Sequence, residues 1–181
     1  VGSEMCIRDR DIPVCSFELY PGLEHLNVEE RLETASRLED ARVIGDAIEA
    51  ADATQSEQVG ILGFCMGGMY TLKTVSSQRF SKHCSFYGMI RVPEAWKSVT
   101  QTEPISCLEK GDVDSVLAIV GGNDTWTPKE DVDLLKSTGV TVASYEGADH
   151  GFVHDPSRPA HRPLDAKDAW KKAENWILSD S

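Results

Sequence analysis

The chain has 181 residues, a length that predicts one domain, because domains cluster near roughly 100 to 150 residues. Its hydrophobic fraction of 40% and charged fraction of 27% are typical of globular proteins and argue against a disordered or fibrous chain. With 30 acidic against 18 basic residues, the net charge of -12 repels phosphate backbones, so we expect no nucleic-acid partner.

Sequence patterns also argue against a membrane protein and against a disulfide-rich secreted protein. The longest uncharged apolar stretch, residues 59–72, is shorter than the roughly 18 residues that a helix needs to span a bilayer. The five cysteines are widely spaced and form no CxxC pair. The sequence also contains no recognisable secretory signal. We therefore expect no membrane partner, reduced thiols and a cytoplasmic location.

The first ten residues, VGSEMCIRDR, resemble the in-frame translation of a sequencing adapter. We treat residues 1–10 as a non-native segment and exclude them from the fold prediction. Residues 11–181 are then expected to form one partial domain, and the natural chain is expected to continue upstream of Asp11.

The first half of this domain predicts a strand, a long helix and a second strand. Residues 12–20 are rich in β-forming side chains and end at a Pro-Gly turn, which predicts a short strand. Apolar side chains then recur every three or four residues over 28–52, which predicts one amphipathic helix. The nearly continuous apolar run 58–64 is typical of a strand buried on both faces, and a helix is expected over 69–77.

The second half continues the alternation of strands and helices. Strands are predicted over 83–87, 116–120 and 140–145, and helices over 129–136, with Pro128 at the first helical position, and over 166–177. Strands that alternate with helices predict an α/β layer architecture with a mainly parallel sheet and right-handed crossovers.

A glycine-rich turn, residues 63–68 (GFCMGG), directly follows the apolar strand 58–64 and precedes a predicted helix. A nucleophile flanked by glycines at such a point is typical of the strained elbow that raises a reactive side chain above a sheet. The helix N-terminus favours the thiolate form of Cys65, and the N–H of Met66 would face a developing oxyanion. The alternative is a buried structural cysteine in a turn.

Two further strand ends carry an acid and a histidine. Asp124 lies just past strand 116–120 and His150 just past strand 140–145, where open α/β sheets build their sites. Each alone has an ordinary alternative, a turn or cap aspartate and a surface histidine. The order nucleophile, acid, histidine is that of the α/β-hydrolase triad, so the residues together predict a triad of Cys65, Asp124 and His150.

Four motifs stand out along the chain: Gly60-Ile-Leu-Gly-Phe-Cys65-Met-Gly-Gly68, Ser85-Phe-Tyr-Gly88, Val120-Gly-Gly-Asn-Asp124 and Gly147-Ala-Asp-His150-Gly-Phe152. They resemble those of the dienelactone hydrolase family, which implies an α/β-hydrolase fold with a mainly parallel sheet and flanking helices. The resemblance also implies hydrolysis of a small-molecule ester or lactone through a thioester, without a metal or organic cofactor. It makes Cys65 the nucleophile, His150 the general base and then acid, and Asp124 its orienting partner.

The resemblance further implies parts that this sequence lacks. In the family, the N-terminal strands, the first helix and the loop after the third strand precede the segment that begins at residue 11. That loop supplies a second oxyanion N–H and a glutamate near the thiol. The third strand lies between the counterparts of segments 12–20 and 58–64, so we expect a gap in the sheet there. Since one lost oxyanion donor typically costs about 10² to 10³ in rate, these 181 residues are expected to be weakly active or inactive.

The substrate-binding residues are less well defined than the triad. Family members that hydrolyse the diene-lactone hold its carboxylate with two arginines. Neither is present here, because the first position falls in residues 21–24 (PGLE) and the second is His154. Arg158 or Arg162 from the nearby loop are candidate replacements. Trp126 and Phe152 are predicted walls of an apolar substrate pocket, with ordinary core packing as the alternative.

Two other functions compete with hydrolysis. The candidate ligands of a zinc site are His150, His154, Asp155 and His161. Intervening glycine and proline residues argue against the helix that such spacing needs, so no metal is expected. A non-catalytic α/β-hydrolase-like protein that binds a ligand in the same site is the main alternative, and retention of all three triad residue types argues against it. The sequence does not indicate an oligomeric state.

Overall fold

Four parallel strands form the sheet at the centre of the structure, a computed structural model that describes residues 12–179. The strands are β1 (Gly60–Phe64), β2 (Lys82–Phe86), β3 (Val116–Gly121) and β4 (Thr141–Tyr145), in the spatial order β1-β2-β3-β4. The helices are α1 (Val28–Glu33), α2 (Asp40–Ala53), α3 (Met66–Thr74), α4 (Pro104–Leu108), α5 (Lys129–Ser137) and α6 (Pro163–Ile177). The alternation confirms the predicted α/β architecture.

The sheet is covered on both faces at β3, all of whose residues are buried. Leu117 and Ile119 pack in one apolar cluster with the alanines of α6. Ala118 and Val120 point to the other face and pack in a second cluster with side chains of α3 and α5. Successive side chains of a strand alternate between faces, so β3 joins the two helical layers into one core.

Parallel pairing brings the carboxyl ends of the strands to one edge of the sheet. Phe64 at the end of β1 lies opposite Phe86 at the end of β2, and Gly121 lies opposite Tyr145 in the same way. The segments that follow β1, β2, β3 and β4 therefore all emerge at this edge, where α/β proteins build their sites.

The strand predicted over residues 12–20 is absent, and that prediction was wrong. Within the described part of the chain nothing pairs with the outer edge of β1, so this segment has no neighbouring ladder to fix it as a strand. Its attachment is a side-chain contact instead, because Nη2 of Arg42 donates to the carbonyl oxygen of Leu19 at 2.6 Å.

The open edge also changes the burial of β1. The sequence predicted a strand buried on both faces, but β1 is half-exposed over most of its length. A cavity of about 350 Å³ lies beside it, lined mainly by apolar side chains of residues 12–17, α2 and β1. The cavity occupies the place where a gap in the sheet was expected.

The single helix predicted over 28–52 is broken into α1 and α2. Between them, backbone carbonyl groups accept hydrogen bonds from side chains that are distant in sequence. The carbonyl oxygen of Leu38 accepts from Oγ1 of Thr100 at 3.2 Å, and that of Ala35 accepts from Nε2 of Gln101 at 2.7 Å. A 3₁₀ turn over Ala35–Arg37 and an extended residue 38 connect the two helices. Tertiary hydrogen bonds have replaced intrahelical ones here.

The other predicted elements are present with shifted bounds. The helix expected over 69–77 begins earlier, at Met66, and ends in a 3₁₀ turn over Val75–Ser77. The helix expected over 129–136 spans Lys129–Ser137, but Pro128 is its extended N-cap and not its first helical residue, so that part of the prediction was wrong. Two further 3₁₀ turns, Glu94–Trp96 and Val113–Ser115, complete the connections.

Candidate active site

Cys65 occupies a strained turn between β1 and α3. Its φ of 53° and ψ of -118° lie in a region of backbone conformation that residues other than glycine rarely adopt. A Cβ at position 63 would lie 2.3 Å from the carbonyl oxygen of Gly67, and one at position 68 would lie 2.8 Å from Cα of Gly88. Close backbone packing therefore requires glycine at positions 63 and 68, which supports the predicted elbow, whereas a Cβ at position 67 would meet no atom within 4 Å.

The N-terminus of α3 lies directly after the Cys65 thiol. Met66 is the first helical residue, so its N–H has no acceptor within the helix. The backbone N–H of Cys65 is already used, because it donates to the carbonyl oxygen of Phe86 at 3.0 Å. The N–H of Met66 is thus a donor available to a negatively charged oxygen near the sulfur.

Asp124 and His150 meet across the loops that follow β3 and β4. Nδ1 of His150 lies 2.8 Å from Oδ2 of Asp124, and Asp124 is only 4% exposed. The backbone N–H of Trp126 donates to Oδ1 of Asp124 at 2.8 Å, which fixes the other carboxylate oxygen. The two loops are also tied together, because the N–H of Asn123 donates to the carbonyl oxygen of Ala148 at 3.0 Å.

His150 carries a strongly perturbed pKa. Burial lowers the pKa of this imidazole, but the hydrogen bond to Asp124 and the neighbouring Cys65 thiol outweigh it and raise the pKa to about 9. Nε2 is buried and has no nitrogen or oxygen partner within residues 12–179, and its neighbour is the Cys65 thiol, which contributes to the raised pKa. Because Nδ1 is held by Asp124, Nε2 is the nitrogen left to exchange a proton with Cys65 or a substrate.

Aromatic rings surround the imidazole of His150. The ring of Tyr87 stands edge-on to it at 5.0 Å, and the ring of Trp126 lies at 6.2 Å. Trp126 is 44% exposed and stacks on the buried Trp96 at 5.5 Å, so it stands at the mouth of the site. Phe152 instead is fully buried in the core and packs on Tyr87, so the structure supports its alternative reading as a core residue.

Tyr87 was not predicted as a site residue from the sequence, although it lies in the motif of residues 85–88. It follows β2 with a φ of 40°, and its hydroxyl hydrogen-bonds Nδ1 of His154. Burial, followed by the nearby Cys65, raises the pKa of its hydroxyl. The motif could have identified Tyr87 as a site residue from the sequence. The contact of Tyr87 with His150, however, depends on the order of the strands in the sheet.

A cleft of about 320 Å³ opens beside the elbow. Its lining includes Phe17, Glu18, Tyr20, Arg31, Cys65 and Met66. Arg31 and Glu18 pair loosely across it, with Nη1 and Oε2 3.6 Å apart. This cleft is the space through which a small substrate would reach the sulfur.

The two arginines considered as replacements, Arg158 and Arg162, lie on the loop that follows β4. Arg162 is held by Asp165 and by the carbonyl oxygen of Gly147. Arg158 lies on the exposed side of the loop and is close to His154. Over residues 12–179 no cluster of three or more His, Cys, Asp or Glu side chains is arranged to hold a metal ion. The described helices include none that is long and apolar enough to cross a membrane.

The described cysteines form no disulfide bonds with one another. Cys15, Cys65, Cys84 and Cys107 are all unpaired in the described range, and Cys6 lies outside it. The predicted non-native segment, residues 1–10, also lies outside the described residues.

Comparison with known proteins adds family information to this geometry. A Bradyrhizobium protein named "Probable 2-oxo-3-(5-oxofuran-2-ylidene)propanoate lactonase" is 31% identical over 131 residues, which cover 68% of this chain and 51% of the relative. A Synechocystis protein named "Putative carboxymethylenebutenolidase" is 30% identical over 130 residues, with the same coverages of 68% and 51%. The chain thus spans about half the length of these curated relatives.

A solved structure shows the same fold. A puromycin-hydrolyzing peptidase of Mycobacterium tuberculosis superposes with a TM-score of 0.59 at 18% identity, covering 81% of this chain and 26% of that one. The four-stranded parallel sheet with flanking helices is accordingly an α/β-hydrolase fold. A sequence model of the dienelactone hydrolase family matches residues 17–179. The chain therefore belongs to the dienelactone hydrolase family.

Proposed function

We propose that this chain carries the nucleophile, base and acid of a hydrolase that cleaves a carboxylic ester or lactone. The supporting observation is the pairing of two features at one edge of the sheet. Cys65 is held at a strained elbow with a φ of 53°. His150 is fixed by Asp124 at 2.8 Å and keeps its buried Nε2 without a nitrogen or oxygen partner beside the thiol.

In the first half of the reaction, Cys65 is acylated. The thiolate attacks the ester carbonyl carbon, and the carbonyl electron pair moves to oxygen as an oxyanion beside the N–H of Met66. Collapse of this intermediate breaks the bond to the alcohol oxygen, which takes the proton from Nε2 of His150. The raised pKa of His150, about 9, means that this proton is in place at neutral pH.

In the second half, water releases the acyl group. Nε2 of His150, now neutral, removes a proton from water as the water oxygen attacks the thioester carbon. The second oxyanion collapses, the carbon–sulfur bond breaks and the carboxylic acid leaves. Asp124 holds one imidazole orientation throughout and stabilises the imidazolium, as the orienting acid does in other triads.

The proposed substrates are small esters or lactones. The cleft beside Cys65 has a volume of about 320 Å³, and the exposed Trp126 lies next to His150 outside the lining of this cleft. Two relatives bear the names of a lactonase and a carboxymethylenebutenolidase, which supports an ester or lactone class. Neither family arginine position is matched, so we assign no anionic group to the substrate.

Turnover by these 181 residues is proposed to be slow. Met66 supplies one backbone donor for the oxyanion, and a single missing donor costs about 10² to 10³ in rate. The chain also spans only about half the length of its curated relatives, so this proposed slow rate applies to these residues and not to a longer form.

The test is to incubate the purified chain with p-nitrophenyl acetate and to follow both p-nitrophenolate and acetyl-Cys65 by peptide mass spectrometry. We expect a slow release of p-nitrophenolate with acetylation at Cys65, and neither in Cys65→Ala. His150→Gln is expected to acylate far more slowly. A folded chain whose Cys65 is never acylated would instead favour the non-catalytic ligand-binding protein.

A further inference from the structure

We infer that the hydroxyl of Tyr20 is a second hydrogen-bond donor to the oxyanion formed at Cys65. The inference rests on the proposed function, because it assigns one more residue to the same reaction. Tyr20 lines the cleft together with Cys65 and Met66. It would supply from a side chain what the site otherwise draws from the single backbone N–H of Met66.

The present partner of the Tyr20 hydroxyl is a weak one. Its Oη donates to Sδ of Met66 at 3.0 Å, and the tyrosine is only 8% exposed. A thioether sulfur is a poor hydrogen-bond acceptor compared with any charged oxygen. Rotation of the hydroxyl proton towards an oxyanion therefore exchanges a weak bond for a strong, charge-assisted one.

The backbone around Tyr20 is fixed although it belongs to no strand. Its N–H donates to Oε1 of Glu18 at 2.9 Å, and its carbonyl oxygen accepts from the N–H of Leu23 at 3.0 Å. Arg42 holds the preceding carbonyl oxygen, that of Leu19, at 2.6 Å. A donor held in place before the reaction loses little free energy to reorganisation.

The protonation state of Tyr20 suits a donor. Burial, followed by the nearby Cys65, raises the pKa of the Tyr20 hydroxyl to about 12. The hydroxyl therefore keeps its proton at neutral pH. It also lies close enough to the sulfur to be influenced by the charge of Cys65.

In the reaction step no proton leaves Tyr20. The thiolate of Cys65 forms the carbon–sulfur bond, and the carbonyl electron pair moves to oxygen. That oxygen accepts hydrogen bonds from Oη of Tyr20 and from the N–H of Met66. Collapse returns the electron pair to the carbonyl, breaks the bond to the alcohol oxygen and passes the proton of His150 to that oxygen, so Tyr20 ends unchanged.

The experiment compares Tyr20→Phe with a matched control, Tyr145→Phe. Tyr145 is also a buried tyrosine, but its hydroxyl donates to Oδ2 of Asp168 at 2.8 Å on the α6 side of β4. Acylation of Cys65 by p-nitrophenyl acetate is measured over a range of ester concentrations. Alkylation of Cys65 by iodoacetamide is measured in parallel, because displacement at the iodoacetamide carbon creates no oxyanion.

We expect Tyr20→Phe to lower the maximal acylation rate roughly 10²-fold, with KM changed less than about twofold. Its rate of alkylation should match that of the wild-type chain, and Tyr145→Phe should acylate at the wild-type rate. Unchanged acylation in Tyr20→Phe overturns this inference and leaves the proposed function intact. Equal loss of acylation and alkylation assigns Tyr20 a packing role and also overturns it. No acylation in the wild-type chain would overturn the proposed function itself.

Discussion

Nδ1 of His150 and Oδ2 of Asp124 lie 2.8 Å apart, although the two residues are 26 positions apart in the chain. The contact arises because β3 and β4 are parallel neighbours whose last residues, Gly121 and Tyr145, stand opposite each other. The loops that follow must then run side by side. The hydrogen bond to this buried carboxylate, together with the nearby Cys65, keeps the pKa of His150 high in spite of burial.

Replacing Asp124 by asparagine should lower the pKa of His150. The variant removes the hydrogen bond and the charge of Asp124, which together with Cys65 outweigh burial, so the pKa should fall below its wild-type value of about 9. We expect NMR titration of the imidazole to show a lower midpoint, and the alkaline limb of kcat/KM to move to lower pH with it.

The sign of the accompanying stability change follows from linkage. Because the folded-state pKa lies above 6.5, this interaction stabilises the fold fully below pH 6.5 and is lost as pH rises through about 9. Asp149→Asn removes the same charge at an exposed neighbouring position and serves as the control. An unchanged midpoint in Asp124→Asn would contradict the assignment of Asp124 as the partner that sets the pKa.

Cys65 should react with iodoacetamide near neutral pH much faster than the other thiols. Its sulfur lies at the N-terminus of α3 and beside the imidazolium of His150, and reactive cysteines are found in such electropositive, partly exposed environments. Burial raises the pKa of Cys84 and of Cys107, which should keep both nearly inert. The exposed Cys15 reports the rate of an ordinary thiol.

Peptide mass spectrometry resolves the individual cysteines in this experiment. His150→Gln should reduce the rate at Cys65 towards that of Cys15, because the positive charge beside the sulfur is removed. Equal rates at Cys65 and Cys15 in the wild-type chain would argue for the non-catalytic ligand-binding protein.

The parts of the site that depend on local pattern were predictable from sequence. The elbow at Cys65 follows from glycines whose side-chain positions are blocked by backbone at 2.3 and 2.8 Å, and that requirement is visible in the spacing of residues 63–68. Asp124 and His150 were found because strand ends in a parallel sheet share one edge.

The parts that depend on distant contacts were not predictable. The break between α1 and α2 requires Thr100 to reach the carbonyl oxygen of Leu38 from 62 residues away. The strand expected over 12–20 has the right composition but no neighbouring strand to pair with. Phe152 reads equally well as a pocket wall or a core residue until its burial is known. Tertiary context decides each of these cases.

The buried ion pair between Lys73 and Asp40 should be important for stability. Lys73 is fully buried in α3, and its Nζ lies 2.7 Å from Oδ1 of Asp40. Oδ2 of Asp40 accepts from the N–H of Thr102 at 2.6 Å, so the pair also ties α2 to the loop after the Glu94–Trp96 turn.

Lys73→Met should therefore lower the free energy of unfolding by about 3–5 kcal/mol, because it leaves a largely buried carboxylate without its counter-charge. Urea denaturation measures this change. Lys129→Met, which removes a lysine from the exposed pair with Asp133, should leave the transition unchanged. A Lys73→Met protein as stable as the wild type would show that Asp40 is adequately satisfied without the lysine.

Acid should destabilise the fold through His83. This histidine is 1% exposed in β2, and its Nδ1 hydrogen-bonds Oγ of Ser115 at 2.9 Å. Burial lowers the pKa of its imidazole from 6.5 to about 4. Its neutral form is therefore favoured in the folded state, and the stability that follows is fully present above pH 6.5 and is lost as the pH falls towards 4.

His83→Gln removes this titration while keeping a polar side chain near Ser115. A depression of this size corresponds to roughly 3 kcal/mol of pH-dependent stability between pH 6.5 and pH 4. Urea denaturation at both pH values measures how much free energy of unfolding each protein loses on acidification. We expect this loss to be smaller in His83→Gln than in the wild type by that amount, because the carboxylates contribute equally to the two proteins. His25→Gln, at an exposed position, should keep the full wild-type loss. If His83→Gln loses as much stability as His25→Gln, the imidazole of His83 is not the group that acid charges.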